Sequence, residues 1–86
     1  MSREITNGSS TVEVVEHVML RNMWEYYLIE PADDDGIAFA LVCGIDVEFG
    51  SVYQSDIDSY GISRTTQLDE ILPPVGWSWA DGENEQ

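Results

Sequence analysis

The chain has 86 residues, with 17 acids against three bases (Arg3, Arg21 and Arg64), no lysine, and a formal net charge of −14. This length allows one domain with a thin core, and an apolar content of 43 % is enough for a folded chain. The negative field disfavours nucleic acid and anionic membranes as partners and attracts basic protein surfaces.

No run approaches the roughly 20 apolar residues of a membrane helix. The opening "MSREITNGSS" lacks the basic and apolar regions of a signal peptide, so a cytoplasmic location is expected. Cys43 is the single cysteine, which excludes an internal disulfide and a multi-cysteine metal cage.

Residues 1–9 are polar and read as a flexible leader. "STVEVVEHVMLRNM" then predicts a helix, with Ser10 and Glu13 forming a capping box. Val12, Val15 and Met19 supply a stripe at helical spacing that extends toward Met23 and is widened by Val18. "WEYYLIE" (24–30), rich in aromatic and β-branched residues, predicts a strand, and "PADDDG" a turn. "IAFALVC" (37–43) predicts the most buried strand. Gly44-Ile45 predicts a two-residue hairpin turn into a third strand, "DVEFGSVY", with a bulge or bend at Gly50. That turn sets Val42 across from Val47 and Ala40 across from Phe49.

"SDID" repeats the capping pattern with Ser55 and Asp58, predicting a short helix stopped by Gly61. "SRTTQLDEIL" reads equally as a short helix at 68–72 or as an edge strand, ended by Pro73-Pro74. "VGWSWA" sets Trp77 and Trp79 on one side of an extended segment, and residues 81–86 read as an acidic flexible tail. The expected architecture is a single α+β domain over 10–80. An N-terminal helix packs on a three-stranded antiparallel meander, followed by a short helix and an extended tryptophan-rich segment. One helix covers only one sheet face, which leaves the Trp77–Trp79 segment or a homodimer partner to cover the other.

From Trp24 onward, "WEYYLIEPADDDGIAFALVCGIDVEFGSVY" resembles an uncharacterised bacterial domain family carried on plasmids, phages and integrated elements. The matching positions are Trp24, Tyr27, Glu30, Pro31, Asp35, Gly36, Phe39, Gly44, Glu48, Gly50 and Tyr53, and "SDIDSYGI" is similar to the helix and link that follow. The resemblance spans about half of the chain. It brings no catalytic residues and implies a mobile-element setting, in which small acidic proteins act against host defence systems.

No constellation stands out as a catalytic or metal site, and no cofactor is expected. His17 has no second histidine or cysteine to make a ligand set and reads as a surface or half-buried helix residue. Asp33-Asp34-Asp35-Gly36 opens like a calcium loop, but the twelfth position is Gly44 instead of the closing glutamate. Glu30 and Glu48, on neighbouring predicted strands, are the one pair worth weighing as general acid and base. Cys43, in the most apolar strand, reads as a small core residue.

Three readings fit the charge: a solubilising surface, adaptation to high salt, and imitation of a nucleic-acid backbone. The third rests on spacing. Charges recur about every 3.4 Å along one strand of duplex DNA, and strand residues two apart, such as Asp46 and Glu48, project about 6.6 Å apart. Glu13 and Glu16 would be helix neighbours about 5–6 Å apart. The candidate partner-binding set is Glu13, Glu16, Asp33, Asp34, Asp35, Asp46, Glu48, Asp56 and Asp58. Trp77 and Trp79 serve either as interface anchors or as core cover. The leading expectation is a non-enzymatic inhibitor that occupies a basic nucleic-acid-binding defence protein, of the anti-CRISPR or anti-restriction type. The alternative is a salt-adapted structural or interaction domain without mimicry.

Overall fold

A computed structural model describes residues 2–80. The chain begins with a β-hairpin, β1 (Arg3–Thr6) and β2 (Thr11–Val14). Its loop is built by Asn7, whose Oδ1 accepts from the backbone N–H groups of Ser9 (2.9 Å) and Ser10 (2.7 Å). Gly8 supplies the positive φ of 95° that an L side chain would resist. The stretch read as a leader therefore contributes a strand, with Ile5 fully buried. The expected tail, 81–86, lies outside the described residues.

The N-terminal helix is absent, and Ser10 caps nothing. Its stretch forms β2 and β3 (Glu16–Leu20) instead. Thr11, Val12, Val14, Val15 and Val18 are β-branched, stiff at χ1 and suited to a pleated surface. Val15 sits between the two strands, and its N–H bonds the Leu28 carbonyl at 2.8 Å as the chain passes from one sheet to the other. The apparent helical stripe is two short strands in succession. The fold is accordingly mostly β, in place of the expected helix-on-meander.

The segments from Trp24 onward follow expectation more closely. β4 (Glu25–Glu30), β5 (Ile37–Cys43) and β6 (Val47–Tyr53) form an antiparallel run, followed by α1 (Gln54–Tyr60). Neither Ser55 nor any other side chain caps α1; Tyr53 holds the N-cap position. Both readings of residues 63–72 hold in part: β7 (Gly61–Thr65) is an edge strand, and Leu68–Glu70 makes one 3₁₀ turn. β8 (Ser78–Trp79) closes the described chain. The large sheet runs β6-β5-β4-β3-β7, and the small one runs β2-β1-β8.

The β5–β6 register is shifted by one residue from the expected one. Cys43 pairs with Val47, so the loop is Gly44–Asp46, and Val42 faces Glu48. A one-residue slip exchanges the faces. Phe49 therefore joins Leu41 on the tryptophan side, stacked on Phe39 (5.8 Å) and edge-on to Trp77 (5.9 Å). The β5–β6 pairing runs unbroken through Gly50; the bulges lie at Leu28/Glu30 and Met19/Leu20.

The large sheet is covered on both faces. On one, Ile57 of α1 packs with Val18, Leu20, Leu28, Ala38, Ala40 and Val52. On the other, Ile5 and Val14 of the small sheet join Tyr27, Leu41 and Leu68, with Trp77 and Trp79 packed alongside. The cover for the second face thus comes from within the chain. Each large apolar side chain so buried contributes about 1.5–3 kcal/mol.

Candidate functional site

The register determines where the carboxylates go. None of the 14 acids among the described residues is buried, and only Glu16 and Glu25 are even partly so. Those two are the acids matched most closely by a cationic or ionisable nitrogen. Arg64 grips Glu16 with two bonds (2.7 and 3.0 Å), and His17 Nε2 lies 2.7 Å from Glu25 Oε1. Partial burial of a carboxylate is tolerable only with such a partner.

The acids singled out from sequence are dispersed. Asp33, Asp34 and Asp35 sit at one end of β5 and Asp46 at the other, a strand length of about 20 Å. Asp46 lies in the turn, so strand spacing does not apply to Asp46 and Glu48. Glu13 and Glu16 occupy different strands in different sheets rather than one helix face. Glu13 is directly across from Glu4 and accepts a hydrogen bond from the Ser2 hydroxyl. The structure does bring Glu16 and Asp58 together around Arg64, whose Nη1 is 3.8 Å from Asp58. Glu48, facing Val42, and Asp56 on α1 share that sheet face.

Asp33 is held in turn geometry. Its Oδ1 accepts from the N–H groups of Asp35 (2.9 Å) and Ile37 (3.0 Å), and Gly36 takes a φ of 79°. Glu30 and Glu48 are not neighbours: β5 lies between their strands, and they are offset along it by three residues, from Phe39 to Val42. That places them well beyond the separations, about 5–9.5 Å, at which paired carboxylates cleave glycosides.

An open groove of about 1000 Å³ lies on the tryptophan side. Its floor is β3, β4 and β5, presenting His17, Tyr27, Glu25 and Cys43; its far wall is the irregular segment 70–75. Two side chains pin that wall to the sheet. The buried Tyr27 hydroxyl donates to the Leu72 carbonyl (2.7 Å), and Trp79 Nε1 donates to the Ile71 carbonyl (2.8 Å). Trp79 is in turn flanked by the Arg3 guanidinium, 4.7 Å from its ring centroid.

The floor is chemically quiet. Burial, reinforced by the charge of Glu25, pushes the Cys43 thiol up to about 12, so it stays protonated and a poor nucleophile at neutral pH. Burial and the same carboxylate also raise Tyr27 above its ordinary value. His17 is a buried strand residue, edge-on to Tyr27 at 4.9 Å, rather than a half-exposed helix residue.

The rim is different. The four most exposed large apolar side chains among the described residues all line this one groove: Ile45 and Val75 (91 %), Leu72 (82 %) and Met23 (70 %). Glu25, Asp46 and Glu70 line it too, and among the described residues no arginine does. Asp46 is the only member of the sequence-derived binding set that belongs to it. Trp77 and Trp79 are core cover, and Trp79 also braces the groove wall. The rim was detectable as isolated apolar residues inside turn sequence, at "GID" and "LPPV", but their convergence needs the fold.

Searches against family models, characterised proteins and solved structures returned no match to this chain. Among the described residues no helix is long and apolar enough to cross a membrane.

Proposed function

We propose that the protein is a non-enzymatic acidic interaction module that docks a basic, partly apolar surface of a nucleic-acid-binding protein and blocks it. The single observation that carries this is the groove rim, where, among the described residues, the most exposed large apolar side chains converge beside three carboxylates and no arginine. Exposed apolar patches edged by polar groups mark interaction sites. Overall charge would speed encounter, and the apolar rim would hold the complex. The resemblance to a mobile-element family suggests a host defence protein as the target. With the carboxylates dispersed, the contact is a local acid-rimmed groove and not a DNA-like array of charge.

The test uses a labelled amphipathic peptide of arginine and leucine, beside a peptide of equal charge with serine replacing leucine. Preferential binding of the first by at least about tenfold supports docking through the rim. The triple variant Ile45→Ser, Leu72→Ser, Val75→Ser should abolish that preference while leaving melting unchanged. Equal binding of both peptides, or an unaffected variant, would overturn the proposal.

Salt adaptation remains the second reading, favoured by Glu4 standing directly opposite Glu13 and by three arginines among 14 acids in the described residues. Like charges across a ladder destabilise, and salt screens them. A melting temperature that climbs steadily from about 0.1 M to about 1 M salt favours it, whereas a flat profile dismisses it.

A further inference from the structure

The opposite face of the large sheet, against α1, carries a second pocket of about 350 Å³ walled by Trp24, Tyr26 and Tyr60, with Leu20 at its base and Asp56 beside them. Its walls are set rigidly. A Cβ on Gly44 would come within 2.5–2.6 Å of three atoms of the Trp24 ring system, so glycine is what lets the indole lie against the backbone there. One indole face is thereby supported, while the side chain keeps 38 % exposure. The turn that carries it is bonded on all sides. Leu20 N–H donates to the Trp24 carbonyl (2.8 Å), Trp24 N–H to Asn22 Oδ1 (3.0 Å), and Arg21 N–H to the Tyr60 carbonyl (2.9 Å). That last bond ties the indole-bearing turn directly to the tyrosine wall, whose side chain is 54 % exposed.

Aromatic faces carry partial negative charge and attract cations, most of all when several rings surround a weakly hydrated one. Asp56 adds a full negative charge, so an anion is disfavoured and a neutral ligand leaves the carboxylate unused. A bare ammonium is strongly hydrated; methyl groups weaken that hydration and pack against rings. Arg21 is the one opposing charge at the pocket, and its Nη2 is engaged with the Ser59 carbonyl at 3.3 Å. Tyr26 is raised above its ordinary value by burial and by Asp56, which agrees with the carboxylate standing close to the ring.

We propose that this pocket binds a methylated ammonium cation between Trp24, Tyr26 and Tyr60, with Asp56 supplying the counter-charge. The site lies on the face away from the groove and stands or falls independently of it.

The test is an NMR titration with N-acetyl-trimethyllysine methyl ester, beside its neutral isostere in which carbon replaces the quaternary nitrogen. The cation should shift the Trp24 indole N–H resonance and bind at least about tenfold more tightly than the isostere. Asp56→Asn, at an exposed position, should weaken binding several-fold with the melting temperature checked beside it, and Arg21→Gln should strengthen it. Trp24→Ala should eliminate binding. Tetramethylammonium separates the sources: affinity equal to the lysine derivative indicates a small free cation, much weaker affinity a methylated side chain, and either supports the site. Equal binding of the neutral isostere, or unchanged affinity in Asp56→Asn, would overturn it.

Discussion

Tyr27→Phe tests whether one hydroxyl holds the groove wall in place. The Tyr27 ring is buried, and its hydroxyl donates to the Leu72 carbonyl at 2.7 Å, with Glu25 Oε1 at 3.2 Å from the same oxygen. Removing it leaves the ring packing untouched and deletes one short hydrogen bond, along with a longer contact to Glu25 that shares the same single proton. Glu25 keeps His17 as its partner, and the Leu72 carbonyl, on an exposed residue, is free to hydrate, so neither acceptor bears a full desolvation penalty. The expected loss is therefore about 1 kcal/mol, which for a domain of this size lowers Tm by about 4–8 °C. Amide exchange over residues 71–75 should accelerate more than exchange in β4 and β5, because the wall loosens while the sheet persists. Tyr53→Phe, at an exposed position, serves as the control and should stay within about 0.5 kcal/mol of wild type. A Tm unchanged in Tyr27→Phe, together with unaltered exchange at 71–75, would refute the view that this bond anchors the wall.

Three further outcomes are expected. Ile57→Ala empties the one buried position of α1 and should cost about 2–5 kcal/mol in chemical denaturation, enough to unfold much of the population. Arg64→Gln breaks the two-pronged contact with Glu16 at a partly exposed site; the loss should be about 0.5–1 kcal/mol at low salt and shrink in molar salt. Cys43 introduces an alkaline dependence. Its thiol rises from 9.0 to about 12 on folding, so below pH 9 both states hold the proton, and above it the unfolded chain ionises first. Stability should thus fall from about pH 9 upward, and less steeply in Cys43→Ala, as read from Tm at stepped pH.

The central strands were legible because length and composition agree there. "IAFALVC" is an unbroken apolar run with turn chemistry on both sides, and β5 spans residues 37–43 as expected. The N-terminal stretch was misread because Val12, Val15 and Met19 satisfy a helical period only across a junction. Each strand is four or five residues long, too short for period two to assert itself over period 3.6. A better signal was present: Asn7-Gly8 between "REIT" and "TVEV" is hairpin chemistry, and it outweighs the chance capping box at Ser10 and Glu13. The register slip had a similar origin, since Gly44 is glycine for the sake of the Trp24 ring and not to open a two-residue turn.

The site was less legible than the fold for a reason that also bears on function. Net charge is a property of composition and carries no position: twelve of the fourteen described acids are exposed and widely spread. What distinguishes one region of this surface from another is where apolar side chains stay out of the core, and that depends on which residues the core has room for. Both faces of the large sheet are already occupied, one by α1 and the other by the small sheet and the tryptophans. Ile45, Leu72 and Val75 are therefore surplus to folding, and Trp24 and Tyr60 are covered only in part. On the proposed reading, the charge sets the kind of partner, and the uncovered apolar residues set the place.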